Sequence, residues 1–124
     1  MIALRRGGSG GAAALVAAGA LLGACRFPAQ PPPGASGAEI YALQLCANCH
    51  GEQGEGKTQG PPLRGLSAHW SRDDLADFLA ETDAWEERDE RLARLAREYS
   101  GDMKPYDNLS PAERLRLADY LLAL

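Results

Sequence analysis

The chain has 124 residues, which is enough for one small domain with flanking segments. It carries 13 Lys and Arg residues against 17 Asp and Glu residues, and this mildly acidic balance gives no support for nucleic-acid binding. Three cysteines are too few for a disulfide-rich scaffold, and an aromatic content of 6% is low for a domain that must bury a core unaided. A bound metal or prosthetic group would therefore help the fold.

The N-terminal segment has the pattern of an export signal. Arg5 and Arg6 precede an uncharged run over residues 12–24, which is shorter than a membrane-spanning helix of about 20 residues. The run ends in LGAC, which resembles the lipobox of bacterial lipoproteins. We predict that residues 1–24 are a signal peptide that is removed and that Cys25 becomes lipidated. The alternatives are a short anchor that stays attached, or cleavage nearby that leaves a soluble periplasmic protein with a free thiol.

Export would place the protein in an oxidising compartment, on the periplasmic side of a bacterial membrane. Arg26 follows Cys25 in place of an aspartate, and by resemblance to Gram-negative lipoproteins this favours the outer membrane. Residues 25–36 comprise the lipidated cysteine and a proline-rich segment that cannot build a core. We expect them to act as an extended tether that holds a domain over residues 37–124 off the membrane surface.

Helical patterns begin directly after the tether, and no stretch alternates as a β-strand would. Ser36 and Glu39 have the spacing of a capping box, which predicts a first helix that ends at Cys46 and Cys49. A glycine-rich loop follows this helix. Ser71 then begins a predicted second helix.

Two further helices are predicted in the second half of the domain. Apolar residues recur at helical spacing over residues 92–99 until Gly101 ends the pattern. Ser110, Pro111 and Glu113 then supply an N-cap, a first-turn proline and a capping-box acid for a closing helix. The domain is therefore predicted to be all-α, with about four helices joined by long loops.

The stretch CANCH brings two thiols and an imidazole together at the end of the first predicted helix. Cys46, Cys49 and His50 form C-x-x-C-H, the attachment signature of c-type haem. On one face of a helix end the two thiols can bond the two vinyl groups of a porphyrin, and the adjacent imidazole can ligate the iron. The alternatives are a zinc site completed by His69, a thioredoxin-like redox pair and a structural disulfide.

Residues 37–124 resemble a small single-haem cytochrome c of class I. The resemblance rests on CANCHG at a helix end, a glycine loop, GPPLRGL, a methionine loop and a closing helix, in the order of the family. It implies the class I cytochrome c fold around one covalently bound haem c. It also implies that the Pro61 carbonyl accepts a hydrogen bond from the His50 ring and so orients the imidazole.

The resemblance implies that Met103, in the loop before the closing helix, is the second axial ligand of the iron. A thioether favours reduced iron and raises the reduction potential; the alternative for Met103 is a core filler. The family commonly has proline directly after this methionine, whereas here Lys104 precedes Pro105. His69 and Lys104 are the competing ligands. Trp70 is expected to pack at the haem periphery or donate its N–H to a propionate.

These features indicate an electron carrier and not an enzyme. Its expected partners are redox proteins of the periplasm or membrane, and the membrane itself through the lipid anchor, with no role for nucleic acid. One alternative is a cytochrome subunit of a larger dehydrogenase or reductase complex. Another is a haem sensor or peroxidase with an open iron site, which requires that Met103 does not bind the iron.

Overall fold

A computed structural model describes residues 29–124, and the predicted signal peptide and Cys25 lie outside these residues. The described part is helical and contains no β-strand, so the predicted all-α class is confirmed. None of the helices within residues 29–124 is long and apolar enough to cross a bilayer. In chain order they are α1 Gly37–Leu43, α2 Ala47–His50, a short 3-10 helix Leu66–Ala68, α3 Arg72–Ala80, α4 Thr82–Arg88, α5 Glu90–Glu98 and α6 Pro111–Leu122.

Both predicted capping boxes are present. The Ser36 hydroxyl accepts a hydrogen bond from the Glu39 N–H at 3.2 Å, and the Glu39 carboxylate accepts one from the Ser36 N–H at 2.7 Å. Ser110 and Glu113 make the same reciprocal pair at the start of α6, where Pro111 occupies the first turn. Each box pairs two backbone or side-chain donors that a helix start otherwise leaves unpaired.

The described helices number six, which is more than the four predicted, for two local reasons. The first predicted helix breaks at Leu45, whose φ of 58° is left-handed, and this break separates α1 from α2. Helix α4 has no side-chain cap on its first turn, so its sequence lacks a start signal. Instead Thr82 is fully buried, and its hydroxyl donates to the Phe78 carbonyl at 3.0 Å. Tertiary packing decides both features, and neither follows from local propensity.

The closing helix α6 holds the core together because both α1 and α3 pack against it. Tyr41 of α1 and Tyr120 of α6 stack with ring centroids 5.4 Å apart, and the fully buried Ile40 and Leu117 come from the same two helices. Gly37 allows the close crossing, because a Cβ on it would collide with the Arg116 carbonyl and the Tyr120 side chain.

Residues 29–36, which we call the strap, lie against the domain. The Gln44 side chain at the C-terminal end of α1 donates to the Ala29 carbonyl at 2.7 Å. The Arg116 guanidinium donates to the buried Ala35 at 2.7 Å. Gly34, with a φ of 76°, makes the turn that leads into α1. The strap thus passes from the C-terminal end of α1 back to its N-terminal end, and this part of the predicted tether packs on the domain.

We expect Gly37→Ala to lower the free energy of unfolding by about 1–3 kcal/mol, the usual cost of forcing a methyl group into a packed contact. The methyl group would push α1 away from α6. Chemical denaturation followed by circular dichroism measures the change. Ala38→Ser is the control, since Ala38 is exposed on the same turn of α1 and should change stability by about 0.5 kcal/mol or less. Equal stability of Gly37→Ala and the wild type would contradict the close crossing.

Candidate functional site

A cavity of about 990 Å³ opens between the helices, at the upper end of the roughly 300–1,000 Å³ typical of small-molecule sites. Its wall contains side chains from α1, α2, α3, α5 and α6 and from the two long loops. The structure brings all the residues predicted for the site to this one wall: Cys46, Cys49, His50, Pro61 and Met103, together with the competing candidates His69 and Lys104 and the peripheral Trp70.

The two thiols enter the cavity because the chain turns at Leu45. The Leu45 N–H donates to the Ala42 carbonyl at 3.1 Å, and the chain re-enters a helix with Cys46 and Cys49 on its first turns. Both cysteines are half-buried and free of a disulfide. Burial raises the pKa of Cys46 to about 11, so this thiol stays protonated at neutral pH. A redox-active pair needs a lowered thiol pKa instead.

The imidazole of His50 is buried and has one defined partner. Its Nδ1 lies 2.8 Å from the Pro61 carbonyl oxygen, which can only accept a hydrogen bond. Burial lowers the pKa of His50, and the hydrogen bond to Pro61 offsets this in part. The ring is therefore neutral at physiological pH with its proton on Nδ1. This leaves an unprotonated Nε2, which is the form that binds a metal.

The loop that carries Met103 is tied to two other parts of the chain. The Gly101 N–H donates to the Gln59 carbonyl at 3.0 Å, and a Cβ on Gly101 would collide with that carbonyl. On the other side, the Tyr106 N–H donates to the Leu79 carbonyl of α3 at 2.7 Å. Met103 lies between these ties, half-buried at the cavity wall. Its sulfur is the one soft neutral ligand that the loop offers.

The competing ligands are arranged differently. The Lys104 ammonium pairs with the Asp102 carboxylate at 2.5 Å, and both side chains are mostly exposed. His69 is exposed at the end of the 3-10 helix. No group of three or more His, Cys, Asp or Glu side chains within residues 29–124 could hold a metal ion. The described residues therefore lack the four-ligand cluster of a structural zinc site.

A family model for cytochrome c matches residues 34–124. The chain belongs to the cytochrome c family. No curated protein and no solved structure matches it. The family binds haem c covalently, typically one in a domain of this size, so this cytochrome carries one haem c and serves haem-based electron transfer. The cavity fits that group, since it combines apolar volume, two protonated thiols and a neutral imidazole on one wall.

Three residues that support the site of this cytochrome were missed in the sequence. A Cβ on Gly60 would stand 3.0 Å from the His50 ring and 2.9 Å from the Cys49 carbonyl, so glycine lets the loop approach the imidazole. The Tyr41 hydroxyl donates to the Gly51 carbonyl at 2.6 Å and fixes the end of α2. Tyr106 is half-buried beside Cys46, and burial raises its pKa. Only Gly60 had a local signal, its place directly before two prolines.

Trp70 lies in an aromatic cluster at the far wall. Its ring is 5.1 Å from that of Phe78 and 5.2 Å from that of Trp85, centroid to centroid, and the Arg91 guanidinium lies 5.3 Å from the Trp70 centroid. The Trp85 N–H donates to Asp77 at 2.9 Å, which attaches α4 to α3. Trp70 packs at the periphery of the cavity, as one of its two predicted roles required.

We expect Leu45→Asn to raise the free energy of unfolding of the haem-loaded cytochrome by about 1 kcal/mol. A left-handed backbone costs a residue with an ordinary Cβ about 1–2 kcal/mol, and asparagine tolerates it better. Leu45 is 41% exposed, so little burial is lost. Guanidinium denaturation measures the change. The control Leu43→Asn, at a helical position, should destabilise the protein, and equal losses at both positions would contradict strain at Leu45.

Proposed function

We propose that this cytochrome is a membrane-tethered periplasmic electron carrier whose haem iron is ligated by His50 and Met103. The observation that carries the proposal is the hydrogen bond of 2.8 Å between His50 Nδ1 and the Pro61 carbonyl. It leaves His50 Nε2 available at a cavity wall that Met103 shares. The two candidate ligands come from opposite ends of the domain sequence, as they must if they are to approach a flat cofactor from two sides.

Cys46 and Cys49 would hold the haem covalently. In each attachment the S–H bond adds across a vinyl double bond, so sulfur bonds to one carbon, hydrogen goes to the other, and nothing is released. Two such bonds would prevent loss of the cofactor outside the cell. When bound, the haem supplies an iron that takes up or releases one electron. The chain contributes two axial ligands, a fixed imidazole and an apolar wall.

Ligation by both His50 and Met103 favours an electron carrier over an enzyme. With six ligands the iron has no open position for a substrate or a gas. Met103, as a soft ligand, would favour reduced iron and raise the potential. The Asp102–Lys104 pair keeps the net charge next to Met103 near zero. The ties at Gly101 and Tyr106 restrict movement of the loop between oxidation states, which suits rapid transfer.

Met103→Ala should lower the reduction potential by about 0.1 V or more, a part of the roughly 0.8 V that axial ligands span. It should also open the iron, so that the reduced variant binds carbon monoxide without denaturant. Potentiometric titration and visible spectra measure both effects. His69→Ala is the matched control and should change neither. If His69→Ala moves the potential and Met103→Ala does not, His69 is the ligand and the assignment of Met103 is wrong.

Membrane attachment is tested at Cys25. In Cys25→Ser the atom that accepts the lipid is absent, so we expect the protein to move from the membrane fraction to the soluble fraction while it keeps its haem spectrum. Fractionation and intact-mass measurement detect the change, and the mass of the wild type should include the acyl chains. A wild-type protein that is soluble and unmodified at Cys25 would contradict the tether.

A further inference from the structure

The strap determines where the chain enters the domain. Its first described residue, Ala29, is bound by the Gln44 amide, whose Nε2 lies 2.7 Å from the Ala29 carbonyl. The other end of that amide accepts a hydrogen bond from Asn108 at 3.0 Å, and Gln44 is 4% exposed. Ala29 is thus fixed beside the C-terminal end of α1. That is the end from which the chain continues through Leu45 to Cys46 and Cys49.

The segment between the predicted lipid and this fixed point is short. Only residues 26–28 separate Cys25 from Ala29. Four residue steps reach at most about 13–14 Å in any conformation. A domain of about 100 residues has a radius of gyration of about 13 Å, and so a diameter of roughly 30 Å. The segment is therefore too short for the domain to turn its opposite side to the membrane.

The surface around this entry point has few charges. Within residues 29–51 the single Asp, Glu, Lys or Arg is Glu39, which caps the other end of α1. Leu45 is the exposed large apolar side chain of the described residues, at 41%, and it also lines the cavity. Ala42 and Asn48 are exposed on the turns before and after it. We call Ala29, Ala42, Leu45 and Asn48 the anchor edge.

The opposite charge pattern occurs on the helices that follow. Helix α4 packs on α3 and α5, whereas α1 packs on α6. Residues 73–90 of these helices carry a single basic residue, Arg88, and many carboxylates, namely Asp73, Asp74, Asp77, Glu81, Asp83, Glu86, Glu87, Asp89 and Glu90. An anionic lipid surface repels such a segment and does not repel the anchor edge.

We propose that the anchor edge lies against the lipid surface, so that the cavity rim at Leu45 faces the bilayer. This rests on the lipid tether of the proposed function and adds an orientation to it. The occupant is the phospholipid headgroup region, which accepts a near-neutral edge with one projecting apolar side chain. The left-handed Leu45 is consistent with this role, since an exposed leucine in that conformation gains nothing from the fold itself.

The test uses the full lipidated, haem-loaded protein in phospholipid vesicles that contain a gadolinium-chelating lipid. A nitroxide is attached to one introduced cysteine, either Ala42→Cys at the anchor edge or Ala84→Cys on α4, both at exposed alanines. Cys46 and Cys49 are then in thioether bonds and do not react. With the iron reduced, we expect the gadolinium to enhance nitroxide relaxation several-fold more at position 42 than at position 84.

Two further samples separate the tether from the orientation. A flexible Gly/Ser insertion between Pro28 and Ala29 should keep the protein on the vesicles and reduce the difference between the two positions. Equal enhancement at both positions in the native-length protein, with full vesicle retention, would overturn the orientation while the tether stands. A protein that is unmodified at Cys25 and does not bind vesicles would overturn both.

Discussion

The hydrogen bond between His50 Nδ1 and the Pro61 carbonyl is the interaction on which the chemistry of this cytochrome depends. It joins the helix that carries the thiols to the loop that follows it, and it fixes both the tautomer and the plane of the imidazole. A carbonyl oxygen cannot donate, so the proton must sit on Nδ1 and the lone pair on Nε2. Gly60 makes this approach possible, because any side chain there would contact the ring.

The second constraint is the break in the backbone at Leu45. A continuous helix would leave α1 and α2 as one rod packed on α6. The left-handed turn instead directs α2, with its thiols, into the cavity while Gln44 stays buried under the strap. The conformation carries a local cost, and the packing of α1 on α6 and the Tyr41 bond to Gly51 hold it in place.

Local rules were enough to predict much of the fold and the site. The capping boxes at Ser36 and Ser110 were predictable because both partners lie three residues apart, and the attachment motif because three ligating groups lie within five residues. Helix α4 and the strap were not, because long-range contacts decide them. Thr82 begins a helix with a bond to the preceding helix, and the strap packs because Gln44 and Arg116 reach its carbonyls.

The near-infrared absorption spectrum of the oxidised, haem-loaded protein tests the central claim most directly. Iron ligated by His50 and Met103 should give a weak band from charge transfer between sulfur and ferric iron. A high-spin spectrum without this band would indicate an open iron position and would contradict the electron carrier proposed here. A low-spin spectrum without the band would indicate two nitrogen ligands and would replace Met103 with His69 or Lys104.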